Sequence, residues 1–242
     1  MKKHIGVAMG GYTSEHDISI KSGENVVKLL SKASFEISKI IVSKENWIVE
    51  YKDEKIKLDL DSFTFHYKKK RIEFDVIFNS IHGSPGENGE LQLKLKKLNI
   101  PFTGSHVLAS ALAMDKTRSK QVWLSHGLAT PDYIEVHSKT RKNQIWDDIL
   151  SKLGGCVIIK PCREGSSIGI SSANTAESLE KASLRAFDFD DRIIIERRLT
   201  GYEYTVGIIA DQTLPSICVK TSADFYDFQS KYRSTTTQYL CP

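Results

Sequence analysis

The chain has only four cysteines, Cys156, Cys162, Cys218 and Cys241, and no two form a C-x-x-C pair. That spacing argues against a zinc or thioredoxin-like site. Long apolar runs are missing too, which argues against a membrane-spanning helix. The N-terminus passes from Met1-Lys2-Lys3-His4 into a short apolar segment, far too brief for the core of a secretory signal. A cytoplasmic protein with reduced thiols is expected. Charge of one sign is also scarce, with a net charge of +4. The only dense basic run is Lys68-Lys69-Lys70-Arg71. It reads as a surface turn, and no helical or aromatic pattern accompanies it, so neither nucleic acid nor membrane is an expected partner. Two nucleotide signatures are absent. No Gly-Lys-Ser/Thr opens a helix, and Gly10-Gly11-Tyr12-Thr13-Ser14 lacks the third glycine of G-x-G-x-x-G.

What is present is an ordinary globular composition. The 242 residues are 40% hydrophobic and 26% charged, enough for one large or two small domains. Ile5 to Met9 reads as a strand ended by Gly10-Gly11. A helix follows, with Ser14 as its cap and Asp17 completing a capping-box variant. Phe35 to Val42 reads as a second strand. Trp47 to Tyr51, Lys55 to Leu60 and Phe63 to Tyr67 read as short antiparallel strands on a solvated edge. Phe74 to Ile81 is apolar enough for a central parallel strand. Helices are expected near Glu90 to Leu98, Val107 to Ala113, Asp115 to His126 and Ala176 to Ala186. Val136 to Asn143 reads as a polar linker. Tyr202 to Ile209 and Ser216 to Lys220 read as an antiparallel pair, and Ala223 to Pro242 as a long loop of the kind that forms lids. The alternation of elements gives an α/β class, α+β in the second half.

Two loops carry the chemistry. Lys160-Pro161-Cys162-Arg163-Glu164-Gly165-Ser166-Ser167-Ile168-Gly169-Ile170 follows the apolar run Cys156 to Ile159. A lysine at a strand end, followed by a Gly/Ser loop, can aim several N–H groups, two hydroxyls and a charge at one phosphate. Alone, the run reads equally as a hairpin. The second loop is His82-Gly83-Ser84-Pro85-Gly86-Glu87-Asn88-Gly89-Glu90, at the carboxyl end of the Phe74 strand. Its glycines permit left-handed backbone where open α/β sheets bind ligands.

Together with Gly10 to Glu15, Ser22-Gly23, Thr103-Gly104-Ser105, Met114-Asp115-Lys116, Glu196, Gly201 to Val206 and Phe225 to Tyr239, these loops resemble the ATP-grasp superfamily. Within it they are similar to the D-alanine–D-alanine ligase family, in order and across the whole chain. The resemblance implies a Rossmann-like N-terminal domain over 1–104, a central ATP-grasp subdomain over 105–196, and the start of a C-terminal subdomain with a lid over 197–242. It implies an ATP-dependent ligase that joins two D-alanine molecules through a D-alanyl phosphate, for peptidoglycan synthesis. The alternatives are another ATP-grasp carboxylate–amine ligase, or an inactive nucleotide-binding fragment. The family pattern continues beyond Pro242, so the ATP-grasp fold is expected to be incomplete here, as is the catalytic machinery.

The resemblance also implies roles. Glu15 would hold the ammonium of the first D-alanine, and His82 would sit near its carboxylate or the acyl phosphate. Lys116 and Lys160 would meet ATP phosphates, with Ser167 in the same loop. Ser166 would hydrogen-bond with Glu15 and Tyr232. Glu196 would face the adenine amino group, Arg197, Arg198 and Leu199 would supply backbone contacts to the base, and Glu203 would bind the ribose. Lys231 and Tyr232 would belong to the lid, the tyrosine favouring an amine as second substrate. ATP with Mg2+ (or Mn2+) is the expected cofactor set, with no metal ligand in this chain, and a homodimer is the expected assembly.

Overall fold

The computed structural model describes residues 2–221 and 236–242. They fold as two compact units, Met1–Asp115 and Lys116–Pro242. In the first unit, strand β1 (His4–Gly10) is buried along its whole length. Helix α1 (His16–Leu30) leads to β2 (Glu36–Val42), which runs parallel to β1 with His4 opposite Glu36. Strands β3 (Trp47–Tyr51) and β4 (Glu54–Lys57) extend the sheet antiparallel. A separate hairpin joins β5 (Phe65–Tyr67) to β6 (Lys70–Ile72). Then β7 (Val76–Asn79) pairs with the other side of β1, also parallel. The sheet order is β4-β3-β2-β1-β7. The chain leaves β1 toward β2 and later enters β7 on the opposite side. The carboxyl ends of β1 and β7 therefore flank the switch point at which such sheets bind ligands. Helices α2 (Glu90–Lys97) and α3 (Val107–Met114) close the unit. Gly89 allows the approach of α3, since a Cβ there would lie 2.9 Å from the Val107 carbonyl oxygen.

The second unit begins with α4 (Lys116–Ser125) and β8 (Tyr133–His137). A 3-10 turn over Ser138–Asn143, α5 (Trp146–Lys152), β9 (Val157–Pro161), β10 (Ser171–Ala173), α6 (Ala176–Phe187) and β11 (Arg192–Arg197) follow. The antiparallel sheet runs β10-β9-β11-β8. Helix α6 starts from a capping box between Thr175 and Ser178. It buries Leu179, Ala182, Ser183 and Ala186, a helical stripe that packs on Val157, Ile159, Ile193 and Ile195. A second sheet joins β12 (Glu203–Ile209), β13 (Gln212–Lys220) and β14 (Gln238–Leu240). Among the described residues, no helix is long and apolar enough to cross a membrane.

Several expectations change. Of the segment from Trp47 to Tyr67, only β4 is a solvated edge. Trp47, Val49, Tyr51, Leu58, Phe63 and Phe65 form a core with Phe74 and Ile77. Period-two burial along β3 turns its large side chains inward. Ser14 does not cap α1; Glu15 occupies the N-cap position, without a side-chain cap bond. The residues Val136 to Asn143 are not a linker. Their first part completes β8, an edge strand paired with β11. The end of the expected lid segment, Gln238–Leu240, is a strand paired with β13.

Candidate active site

Each unit carries its own cluster of candidate residues. In the first, the loop after β1 and the loop after β7 are tied together. Tyr12 donates its backbone N–H to Ser84 O at 2.7 Å. Gly11 sits at φ +114°, and a Cβ there would lie 2.9 Å from Ile81 Cγ2 and 3.0 Å from Ser84 O. Only glycine allows both that backbone and that approach. Gly83, at φ +67°, is equally close-fitted, since a Cβ there would meet Thr13 side-chain atoms at 2.7 and 2.8 Å. Glu87 accepts from the Gly83 N–H at 2.9 Å and so ties its own loop down.

The carboxylate of Glu15 lies at the start of α1, and the residue is only 4% exposed. Its backbone N–H is 3.3 Å from Thr13 Oγ1, and Thr13 in turn donates to the His82 carbonyl at 3.5 Å. The His82 ring lies 3.3 Å from Ser22 Oγ on α1. Glu15 and His82 are thus held on one rim by Thr13 and Ser22. A buried carboxylate at a helix start, beside a histidine and two glycine loops, suits a small ligand carrying an ammonium group.

In the second unit, the candidate residues line a cleft of about 640 Å³. Lys160, Ser167, Glu196, Arg197, Leu199 and Glu203 all line it, with Ile158 and Ile170 as apolar wall. A cleft that sets an apolar wall beside many polar groups suits a flat heterocycle with a polar tail. The N–H of Arg197 donates to Asp132 O, and that of Arg198 to Cys156 O, both at 3.0 Å. Neither of these two N–H groups is therefore turned to the cleft. The Arg197 side chain pairs with Asp132 at 2.6 Å.

One wall of the cleft comes from the Lys160 loop. Ser166 and Ser167 adopt φ of +47° and +62°, followed by Gly169 at +68°. Two non-glycine residues in left-handed backbone store strain of a kind found at ligand-binding loops. Such turns gather N–H groups into an anion-binding concavity. Lys116, at the first position of α4, donates its ammonium to the Glu164 carbonyl, and its N–H bonds to Cys162 O at 2.9 Å. Burial, then repulsion from Lys160, lowers the Lys116 pKa. Two cations forced near each other are the electrostatic signature of an anion site.

Glu196 closes the arrangement. It is 6% exposed, and its two oxygens pair with Lys120 at 2.8 Å and Lys160 at 2.5 Å. Burial alone would raise its pKa, but the two lysines outweigh that and hold the carboxyl below its usual value.

Of the residues picked from the sequence, Glu15 and His82 share the first unit, and Lys116, Lys160, Ser166, Ser167, Glu196, Arg197, Leu199 and Glu203 share the second. Lys231 and Tyr232 lie outside the described residues, so the expected Ser166–Tyr232 bond does too. Among the described residues, no group of three or more His, Cys, Asp or Glu could hold a metal ion. Two residues escape a reading of the sequence. Lys120 lies four positions after Lys116 on α4, a spacing that places both on one helix face. Asp190 precedes β11 and accepts from the Arg163 N–H at 2.8 Å and the Arg192 N–H at 3.1 Å, pinning the start of the phosphate loop.

Known proteins resemble this chain in sequence and in fold. Residues 4–105 match the family described as D-ala D-ala ligase N-terminus, and residues 122–242 match D-ala D-ala ligase C-terminus. A D-alanine–D-alanine ligase from Pseudoalteromonas atlantica is 39% identical over 241 residues, covering 98% of this chain and 69% of that protein. The fold matches that of a D-alanyl-alanine synthetase A from Vibrio cholerae, with TM-score 0.84 and 24% identity, over 99% of this chain and 74% of the other. A D-alanine–D-alanine ligase from Bacillus anthracis solved with ATP matches with TM-score 0.74 and 27% identity, over 99% and 70% of the two chains. Matched by both family models and 39% identical to a curated member over nearly its whole length, the chain belongs to the D-alanine–D-alanine ligase family.

Proposed function

We propose that the first unit holds D-alanine through Glu15 and His82, and that the second unit holds ATP in the cleft of Lys160, Glu196 and Glu203. The protein is an ATP-dependent ligase that makes D-alanyl-D-alanine, the dipeptide used in peptidoglycan synthesis. The observation that carries the residue assignment is the buried Glu15 carboxylate on the same rim as His82. In this reading, Glu15 takes the ammonium of the first D-alanine and leaves its carboxylate free to attack the γ-phosphate. The result is D-alanyl phosphate and ADP. The amine of the second D-alanine then displaces phosphate and forms the peptide bond. Lys116 and Lys160 neutralise charge on the phosphates, and the Ser166–Ser167 turn supplies N–H donors. Such transfer depends on positioning and electrostatics more than on covalent help from the protein. Lys231 and Tyr232 complete the reading as lid residues that exclude water from the acyl phosphate. Magnesium dependence, a homodimer and a cytoplasmic location belong to the same reading and rest on the family.

The experiment is Glu15→Gln, assayed by D-alanine-stimulated phosphate release from ATP. The KM for D-alanine rises more than about tenfold, the loss expected for one charge-assisted hydrogen bond, while ATP affinity stays at the wild-type value. An unchanged KM for D-alanine would remove Glu15 from the site.

A further inference from the structure

We infer that Lys120 is the fixed counter-ion that keeps the Glu196 carboxylate aimed at the amino group of a purine base, so that selection of ATP over a 6-oxo purine nucleotide depends on a lysine outside the cleft. The inference rests on reading the cleft as the ATP site. It adds a positioning residue that acts through Glu196.

Lys120 is 3% exposed and does not line the cleft. Its ammonium has three donors, and each has a partner. Glu196 Oε1 lies at 2.8 Å, Thr130 Oγ1 at 2.6 Å and the Pro131 carbonyl at 2.9 Å. The Tyr133 ring centroid is 5.1 Å away. A lysine so occupied has no donor left for phosphate and no room to swing. Pro131 itself lines the cleft. Lys120 therefore ties helix α4 to the cleft wall and to Glu196 at once.

Lys160 is the opposite case. It lines the cleft, its side chain is 29% exposed, and one contact holds it to Glu196 Oε2. When a triphosphate enters, Lys160 has a stronger anion to serve. Glu196 is then a buried carboxylate whose remaining fixed cation is Lys120. An unpaired carboxylate at that depth would take up a proton or turn away. Either change removes the acceptor for an exocyclic amine. A 6-amino purine donates to an ionised carboxylate, whereas a 6-oxo purine presents an oxygen that the same carboxylate repels. The division of labour is thus one mobile lysine for phosphate and one immobile lysine for base choice.

The test compares ATP with inosine triphosphate in equilibrium binding, using wild type and Lys120→Met, with inorganic tripolyphosphate as a probe of the phosphate end. Wild type prefers ATP. In the variant that preference falls about tenfold or more, the scale of one hydrogen bond to a charged acceptor, while tripolyphosphate affinity stays within about twofold. An unchanged ATP preference overturns the proposal. So does an equal loss of both nucleotides and of tripolyphosphate, which would make Lys120 a fold residue only. If wild type binds no nucleotide, the ATP reading of the cleft fails first and the proposal with it. Should Lys120→Met not fold, Thr130→Val decides. It removes one of the three anchors and keeps the charge. A preference lowered about threefold supports the proposal, and a wild-type preference overturns it.

Discussion

Replacing Asp190 by alanine should loosen the phosphate loop and destabilise the second unit by about 3 kcal/mol. The Asp190 side chain is 2% exposed and joins the loop to β11. One oxygen accepts from the backbone N–H of Arg163 at 2.8 Å, the other from that of Arg192 at 3.1 Å. The Arg163 guanidinium adds a contact at 2.5 Å. Removing the acceptor from two backbone donors costs about 1 kcal/mol each. Breaking a fully buried ion pair costs about 3–5 kcal/mol. Arg163 is 51% exposed and keeps Asp191 at 2.5 Å, so its share is reduced to about 1 kcal/mol. Urea unfolding followed by a second-unit probe is the assay. With a slope of about 2 kcal/mol per molar, the midpoint falls by about 1.5 M. ATP affinity should fall in parallel, because Arg163 lies between Lys160 and the Ser166 turn. Burial opposes ionisation of Asp190, but Arg163 and the Arg192 N–H outweigh it and lower its pKa. Its contribution is therefore present above the unfolded value of 3.8 and lost as pH falls through the lower folded value. A loss below about 1 kcal/mol, or a full loss of stability with unchanged ATP binding in the folded variant, would refute the assignment of Asp190 as the clamp of this loop.

Two further outcomes follow from single sites. Gly169→Ala sets a methyl 2.7 Å from Pro161 Cγ and 2.9 Å from Phe189 Cδ2 at φ +68°. Calorimetry should show weaker ATP binding with a stability loss of about 1–3 kcal/mol. His4 is buried among Tyr51, Phe65 and Phe74, with Nδ1 2.9 Å from Glu73 O and Nε2 2.8 Å from Ser38 Oγ. A neutral ring satisfies both bonds, and burial lowers its pKa from 6.5. The unfolded chain then binds more protons in acid, so stability of the first unit is complete above pH 6.5 and declines below it. Denaturation between about pH 5 and 8 on wild type and His4→Gln checks this, and the variant should lose the dependence in that range.

The legible part of the site is the part written in glycine and serine. The loops 82–89 and 160–170 stand out because glycine density after an apolar run has few other uses. The helices of the second unit are legible for a similar reason, since the stripe of Leu179, Ala182 and Ala186 repeats with helical period. The residues that hold the site are harder to see. Lys120 looks like any solvated lysine on a helix, because its burial comes from Thr130, Pro131 and Glu196, which meet it only in the folded unit. Asp190 looks like a turn former, because its partner Arg163 lies before β10 and α6 in the chain. The strands around Trp47 and Phe65 read as an edge because each is short and flanked by lysines. Their core is an assembly of side chains from β3, β5 and the segment before β7, which no single window contains. The cap of α1 falls one residue later than its sequence suggests, since Ser14 makes the better local cap and tertiary contacts of the glycine loops win.

The most direct test is a mass-spectrometric assay of the purified protein with ATP and D-alanine, in which dipeptide and free phosphate are counted together. The account predicts one D-alanyl-D-alanine for each phosphate released, with no turnover of ATP when L-alanine replaces the D-enantiomer. Phosphate release that is indifferent to D-alanine, or that rises with D-alanine while no dipeptide forms, would contradict it.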